Sequence, residues 1–215
     1  MPSTANLTLR DAQPQDRTTI IEILAGAFAD GDVARWLDPD PGTRRAHSCG
    51  YFHATVDHAL AYGTVRVADE CGEVLGAALW LPYPVPSPIV EPAAAGPVFE
   101  RLYLLERLLD ERHPRTPAHY HLAYLGVRPD RQGEGIGSCL LIGQHAYLHV
   151  AGIPAYLEAN DPRNHELYLR HGYADAGAPI VLPTGIAIWP MWRPPIPAGV
   201  VAARTEPAVA NGASR

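Results

Sequence analysis

Cysteine is scarce in this sequence. Cys49, Cys71 and Cys139 are scattered over 215 positions with no C-x-x-C pair, so neither a disulfide framework nor a zinc spacing can be read from them. A reducing compartment, the cytoplasm, is the expected setting. Long apolar runs are also missing, and no segment is long enough to span a bilayer. Residues 1–6 lack the basic and apolar regions of a signal peptide. There is no basic excess: the formal net charge is −6, which argues against nucleic-acid binding and suits a neutral or cationic small molecule. No internal repeat is apparent. What is present is 47% hydrophobic and 19% charged residues, a globular composition in a chain that can bury one sizeable core. Prolines cluster at 82–97 and at 190–207. The first cluster reads as an irregular connection and the second as the approach to a disordered tail. One domain is expected over 1–193, followed by a Pro/Ala-rich tail over 194–215.

Periodicity gives an order of elements. Leu7, Thr8, Leu9 and Arg10 alternate as a first strand. Residues 15–29 carry Ile20, Ile21, Ile23, Leu24, Ala27 and Phe28 at helical spacing, and a second helix is expected over 43–62. Strands at 64–68 and 74–81 flank a probable hairpin turn, and residues 98–109 read as a helix. Residues 119–127 form a strand, and a helical face follows through Ile136, Leu140, Leu141, Tyr147, Leu148 and Ala151. Residues 155–159 are a short strand. Asp161-Pro162 starts a helix that Gly172 ends, and Val181 and residues 186–192 suggest a final hairpin. The fold class is mixed α/β.

The stretch 122–137, Leu-Ala-Tyr-Leu-Gly-Val-Arg-Pro-Asp-Arg-Gln-Gly-Glu-Gly-Ile-Gly, carries the most information. A strand runs into a glycine-rich turn and a helix begins at once. Helix N-termini offer unpaired N–H groups and partial positive charge, and glycines let the backbone approach a phosphate. It is not a Walker A loop, because Ser138 and Cys139 stand where Lys-Ser/Thr is required. Nor is it a dinucleotide fingerprint, because the third glycine position falls on Ser138 or on Leu140. The match is Gln/Arg-x-x-Gly-x-Gly, met by Gln132, Gly135 and Gly137.

Downstream, alternation puts Tyr156, Glu158 and Asn160 on one strand face, and helical spacing puts Asn164 and Tyr168 one turn apart. A carboxylate and a phenol so placed are candidates for proton transfer, Glu158 as general base and Tyr168 as general acid. From the residues alone, Glu158 is equally a structural ion-pair carboxylate and Tyr168 a core aromatic. His119 and His121 are expected on one strand face, close to the loop, and either one is a further candidate base. No metal spacing is visible among the ten histidines.

Together, Gln132, Gly135 and Gly137 after Val127-Arg128-Pro129, and the pattern Asn164, Tyr168, Gly172, Tyr173, resemble the GNAT superfamily of N-acyltransferases. The block 120–173 is especially similar to puromycin N-acetyltransferase-like members, while residues 82–117 show little likeness. The resemblance implies a central mixed sheet splayed between its fourth and fifth strands, flanked by helices, with the pantetheine arm of acetyl-CoA in the gap. It implies that Gln132, Gly133, Glu134, Gly135, Ile136, Gly137 and Ser138 hold the pyrophosphate through backbone amides, with Arg128 and Arg131 within reach of phosphates. Leu125, Gly126 and Val127 would pair with the arm and polarise the thioester, Asn164 would bond the arm, and Tyr168 would sit near the sulfur. The expected partners are acetyl-CoA as co-substrate and a small-molecule primary amine, with no metal, nucleic acid or membrane, in a chain that forms a homodimer in some relatives. Phe28, Asp30, Trp36 and Tyr51 are candidate acceptor-pocket residues. A peptide or protein acceptor, or a non-catalytic acyl-CoA-binding domain, are the alternatives.

Overall fold

The computed structural model describes residues 7–84 and 96–195. The predicted tail from 196 onward and most of the first proline cluster lie outside the described residues. The elements, in order, are β1 (Leu7–Asp11), α1 (Arg17–Phe28), α2 (Asp32–Leu37), α3 (Pro41–Tyr62), β2 (Thr64–Glu70), β3 (Glu73–Tyr83), α4 (Pro97–Arg112), β4 (His119–Val127), α5 (Ile136–Ala151), β5 (Ala155–Ala159), α6 (Pro162–Arg170), β6 (Ala174–Asp175), β7 (Ile180–Val181) and β8 (Ala187–Arg193). One sheet runs β1-β2-β3-β4-β5-β8-β6, with β7 paired to β8. The β4–β5 pair is parallel, as the βαβ unit through α5 requires, and its other neighbours are antiparallel.

Local chemistry accounts for most boundaries. Asp40 caps α3 by accepting from Gly42 N at 2.8 Å, with Pro41 in the first helical position. Asp161 does the same for α6, accepting from Asn164 N at 2.8 Å ahead of Pro162. The β2–β3 turn places Cys71 and Gly72 at positive φ, and Asp69 accepts from the Gly72 amide at 2.7 Å. The helix α2 was not expected, since fewer than two turns leave no period to read. Where the sequence suggested 109 as the end of α4, the helix runs on to Arg112.

Two apolar layers sandwich the sheet. Ile20, Leu24, Phe52 and Val56 from α1 and α3 pack on Val65, Val67, Ala77 and Leu79. On the opposite face, α5 sets Ile136, Leu140, Leu141 and Leu148 against Leu75, Ala78, Trp80 and Leu157. The alternation Ala77, Ala78, Leu79, Trp80 therefore buries both faces of β3.

The feature that positions the site is β4. Leu79 pairs with Tyr124 but Trp80 pairs with Leu122, so Ala123 is an extra residue that bends the strand. On the other side β4 pairs with β5 only at Tyr120↔Ala155 and His121↔Tyr156. Beyond His121 the two strands part, and the β5-facing backbone of β4 has no strand partner. This is the splay that the GNAT resemblance implies.

At the far end of the sheet, Arg10 ties β1 to the turn before α1 and to the β2–β3 hairpin. Its guanidinium donates to Asp16 at 2.6 and 3.0 Å and to Asp69 at 2.8 and 3.1 Å. Arg10 holds the Asp16 carboxyl below its usual range, against the opposing effect of burial. Substituting Arg10→Met strands two buried carboxylates and is expected to lower the unfolding free energy by about 2 kcal/mol, less than for a fully buried pair because the arginine is partly exposed. Urea denaturation would show it as a lower midpoint with an unchanged slope.

Candidate active site

The glycine turn joins the open edge of β4 to α5. Gly133 and Gly135 have φ of 84° and 87°, left-handed values that explain glycine at both positions, and a Cβ at either one would meet nothing within 4 Å. The surface above them is open to a ligand. The first amide of α5 with a helical acceptor is that of Cys139, which donates to Gly135 O at 3.0 Å. The amides of Ile136, Gly137 and Ser138 are left without an intrahelical partner, and no side chain caps this end. A set of helix-end amides without helical partners thus stands at the glycine turn.

The side chains around the cradle are committed elsewhere. Gln132 Nε2 donates to Val127 O at 3.2 Å and braces the turn. Ser138 Oγ lies 3.0 Å from His171 Nε2. Arg128 is ion-paired with Asp130 and Glu73, and Arg131 with Glu134 and Glu70. The expectation that these two arginines reach phosphates is not supported by their placement: each already has two carboxylate partners.

From the end of β4, a cavity runs between α2, α3, α4, β4 and α6. Leu125, Glu158, Asn160, Asn164 and Tyr168 line it, so the chosen acid, base and arm-binding asparagine meet in one space. Asn164 Nδ2 donates to Asn160 Oδ1 at 3.0 Å and to Asp161 Oδ2 at 2.5 Å. That fixes the amide and leaves its oxygen as an acceptor for an N–H in the gap. Tyr168 is buried, which together with the charge of Asp161 pushes its phenol well above the usual range. It therefore stays protonated, and no described residue bonds its hydroxyl.

Glu158 sits beneath two imidazoles. Its carboxylate is 2.8 Å from His121 Nε2 and 3.9 Å from His113 Nδ1. Burial pushes the carboxyl up, but the two imidazoles, His121 first, outweigh it and hold the carboxyl down to about 2. Behind them, His119 Nδ1 donates to Pro117 O at 2.8 Å, so its Nε2 must accept from His113 Nε2 at 3.1 Å. Burial, aided by the neighbouring imidazoles, holds His119 below the usual imidazole range. His113 Nε2 is thus the donor to His119, and its Nδ1 is the atom that faces Glu158.

Of the two strand histidines, only His121 reaches the site. His119 shares its face, and neither histidine is close to the glycine turn, since both stand at the end of β4 that pairs with β5, roughly 25 and 20 Å from it along the strand; His119 is bonded to Pro117 and His113 in place of Glu158. His113, on the segment before β4, escaped the sequence reading altogether. Ligand atoms of His113, His121 and Glu158 all lie within 4.8 Å of one another, a donor set able to hold a divalent ion, though no sequence spacing announces it.

The acceptor side is aromatic. Phe28, Tyr51, Phe52 and Tyr124 meet edge to face with centroids 5.1 to 6.1 Å apart. Tyr51 donates to Glu106 Oε1 at 2.9 Å and in turn accepts from Tyr124 at 2.5 Å. Phe28 and Tyr51 thus line the cavity as expected. Asp30 is exposed and lies outside the lining, and Trp36 packs against the Leu105, Ile180, Leu182 and Ile188 cluster instead. Tyr124, Phe52 and Glu106 were not foreseen. A charged residue on the inward stripe of a helix was the available signal for Glu106.

No protein-family model matches the sequence. Solved structures do resemble it. A structure described as histone acetyltransferase HPA2 and related acetyltransferase, from Corynebacterium glutamicum, is 29% identical, superposes with a TM-score of 0.66 and covers 91% of this chain and 99% of its own. Arylalkylamine N-acetyltransferase 2 from Aedes aegypti is 13% identical with a TM-score of 0.65, covering 89% and 100%. An agmatine N-acetyltransferase mutant is 17% identical with a TM-score of 0.60, covering 87% and 98%. The last two likenesses are of fold alone. Among the described residues no helix is long and apolar enough to cross a membrane. With its open β4 edge, its glycine turn and these structural neighbours, the chain has the GNAT fold.

Proposed function

We propose that this chain transfers the acetyl group of acetyl-CoA to a primary amine of a small molecule, by direct attack in a ternary complex. The observation that carries this reading is the convergence of Glu158 and Tyr168 on one cavity that opens onto the unpaired edge of β4. In this reading the amides around Gly133 to Ser138 receive the pyrophosphate, and the β4 backbone at Leu125, Gly126 and Val127 receives the pantetheine arm. Asn164 Oδ1 accepts from an amide of that arm.

The amine arrives as an ammonium. One proton leaves through the Glu158–His121 pair, the imidazole Nε2 taking it and the carboxylate 2.8 Å away stabilising the imidazolium that results, and the free amine attacks the thioester carbonyl carbon. As the C–N bond forms and the C–S bond breaks, the Tyr168 hydroxyl gives its proton to the departing sulfur. The second amine proton then restores the phenol. The balance is acetyl-amine, CoA thiol and one proton released to solvent.

A direct test is release of free thiol from acetyl-CoA against a panel of arylalkylamines, aminonucleosides, polyamines, amino acids and a lysine-bearing histone peptide, with calorimetry of acetyl-CoA binding alongside. Turnover on a small amine supports the reading. Turnover confined to the peptide would favour a protein acceptor, to which the name of the Corynebacterium structure points. Absence of acetyl-CoA binding would overturn the assignment of the glycine turn. The aminonucleosides test the resemblance to puromycin N-acetyltransferase-like members.

A further inference from the structure

Acetyl transfer as derived above gives no work to Glu106. It stands on α4, whose inward stripe is Val98, Leu102, Leu105 and Leu109, all of them in the cavity wall, and it is the charged member of that stripe. A carboxylate there is costly unless something repays its desolvation. Among the described residues no arginine or histidine forms an ion pair with it; its hydrogen bond comes from Tyr51. Burial and the charge of Glu158 push its carboxyl up, against the hydrogen bond from Tyr51 and the influence of His121. A cation beside it would reverse that balance.

The rest of the wall says what kind of cation. Phe28, Phe52, Tyr51 and Tyr124 line it together, and an aromatic wall suits a flat apolar body and an ammonium at close range. The cation nearest the cavity mouth, Arg44, is occupied by three backbone carbonyls, those of Asp38, Pro39 and Ala29, and His47 is bonded to Asp38. Three acidic side chains, Asp38, Glu106 and Glu158, line the cavity against one guanidinium, that of Arg44; Asp38 is taken up by Thr43 and His47 and Glu158 by His121, which leaves Glu106 as the one with no cationic partner among the described residues.

We infer that Glu106 seats the ammonium group of the acceptor, and that the acceptor is a carboxylate-free primary amine on an aromatic-sized apolar body. This assignment rests on the acetyl-transfer reading above. It makes Glu106 a specificity residue: it binds the ammonium before the proton leaves through the Glu158–His121 pair, and it repels zwitterionic amino acids of the same shape.

The experiment compares phenylalaninamide, phenylalanine, 2-phenylethylamine and putrescine as acceptors for the intact chain, Glu106→Gln and Glu106→Asp. The native chain should use the amide and the phenylethylamine at least 30-fold better in kcat/KM than phenylalanine, with putrescine poor for want of a body. Glu106→Gln should raise KM for the two aromatic cations about tenfold or more, leave the calorimetric Kd for acetyl-CoA unchanged, and narrow the gap to phenylalanine. Glu106→Asp should keep the preference for the cation, which separates a charge role from a packing role. Equal use of phenylalanine and its amide, or an unmoved KM in Glu106→Gln, overturns the inference. If thiol release fails on every amine while acetyl-CoA still binds, the acetyl-transfer reading fails instead. Binding of 2-phenylethylamine to the CoA-loaded protein then decides for Glu106: loss of that binding in Glu106→Gln supports it, and no binding in the native chain overturns it.

Discussion

Replacing Tyr168 with phenylalanine is expected to lower kcat about 100-fold, or about 2.7 kcal/mol of barrier, while the Kd for acetyl-CoA stays within twofold. The substitution removes one oxygen and leaves the ring, which packs edge to face on Tyr173 at 5.7 Å and belongs to the apolar cluster under α5 and α6. The fold should therefore tolerate it. The hydroxyl makes no bond to a described residue, so its loss strands no partner. What is lost is a proton held ready at the thiol end of the cavity, since burial keeps the phenol protonated across the working range. If the role is protonation of the departing sulfur, a better leaving group compensates. Acetyl donors built on a more acidic thiol should recover most of the loss in Tyr168→Phe and gain little in the native chain. Turnover unchanged by the substitution would return Tyr168 to the core. A fall in acetyl-CoA affinity with kcat intact would make it a binding residue only.

Tyr168 was legible before the structure because it lies within one short continuous stretch. Glu158, Asn164, Tyr168 and Gly172 are spaced by a strand repeat and a helical repeat, and local periodicity carries that much. The glycine turn was legible for the same reason, since positive φ restricts the residues at 133 and 135. The walls were not. Glu106, His113 and Tyr124 come from a helix, the segment after it and a strand, and only tertiary packing brings Glu106 and Tyr124 into the cavity with Tyr51, and His113 beside Glu158. The Ala123 bulge, which turns the β4 edge away from β5, leaves no mark in an apolar run. His119 shows the limit of face arguments: alternation placed it correctly, but position along the strand decides reach. Arg128 and Arg131 show another, since Glu70 and Glu73 meet them only through the β3–β4 pairing and its neighbouring turn.

Glu158→Gln probes the base and the charge network together. It is expected to reduce kcat/KM by ~10²–10³-fold at every pH, not to move an acid limb. An ordinary carboxylate would impose a limb near 4 to 5. Here the imidazoles hold the carboxyl down to about 2, so it is ionised throughout any practical assay, and a limb seen nearer neutrality belongs to another group. The stability consequence has a definite sign. A folded value of about 2 lies below the ordinary 4.5 of a glutamate carboxyl, so the unfolded chain binds the extra proton between them and native stability rises with pH through that window. The carboxylate's contribution is fully present above about 4.5 and is lost as pH falls toward about 2. The variant has no such titration. Thermal midpoints of the two proteins should therefore differ most above pH 5 and converge as the pH approaches 2, with other carboxylates such as Asp16 cancelling in the comparison. A constant difference across the range would mean that the interaction with His121 and His113 is no stronger folded than unfolded. In that case the 2.8 Å contact, and the proton path drawn from it, would have to be given up.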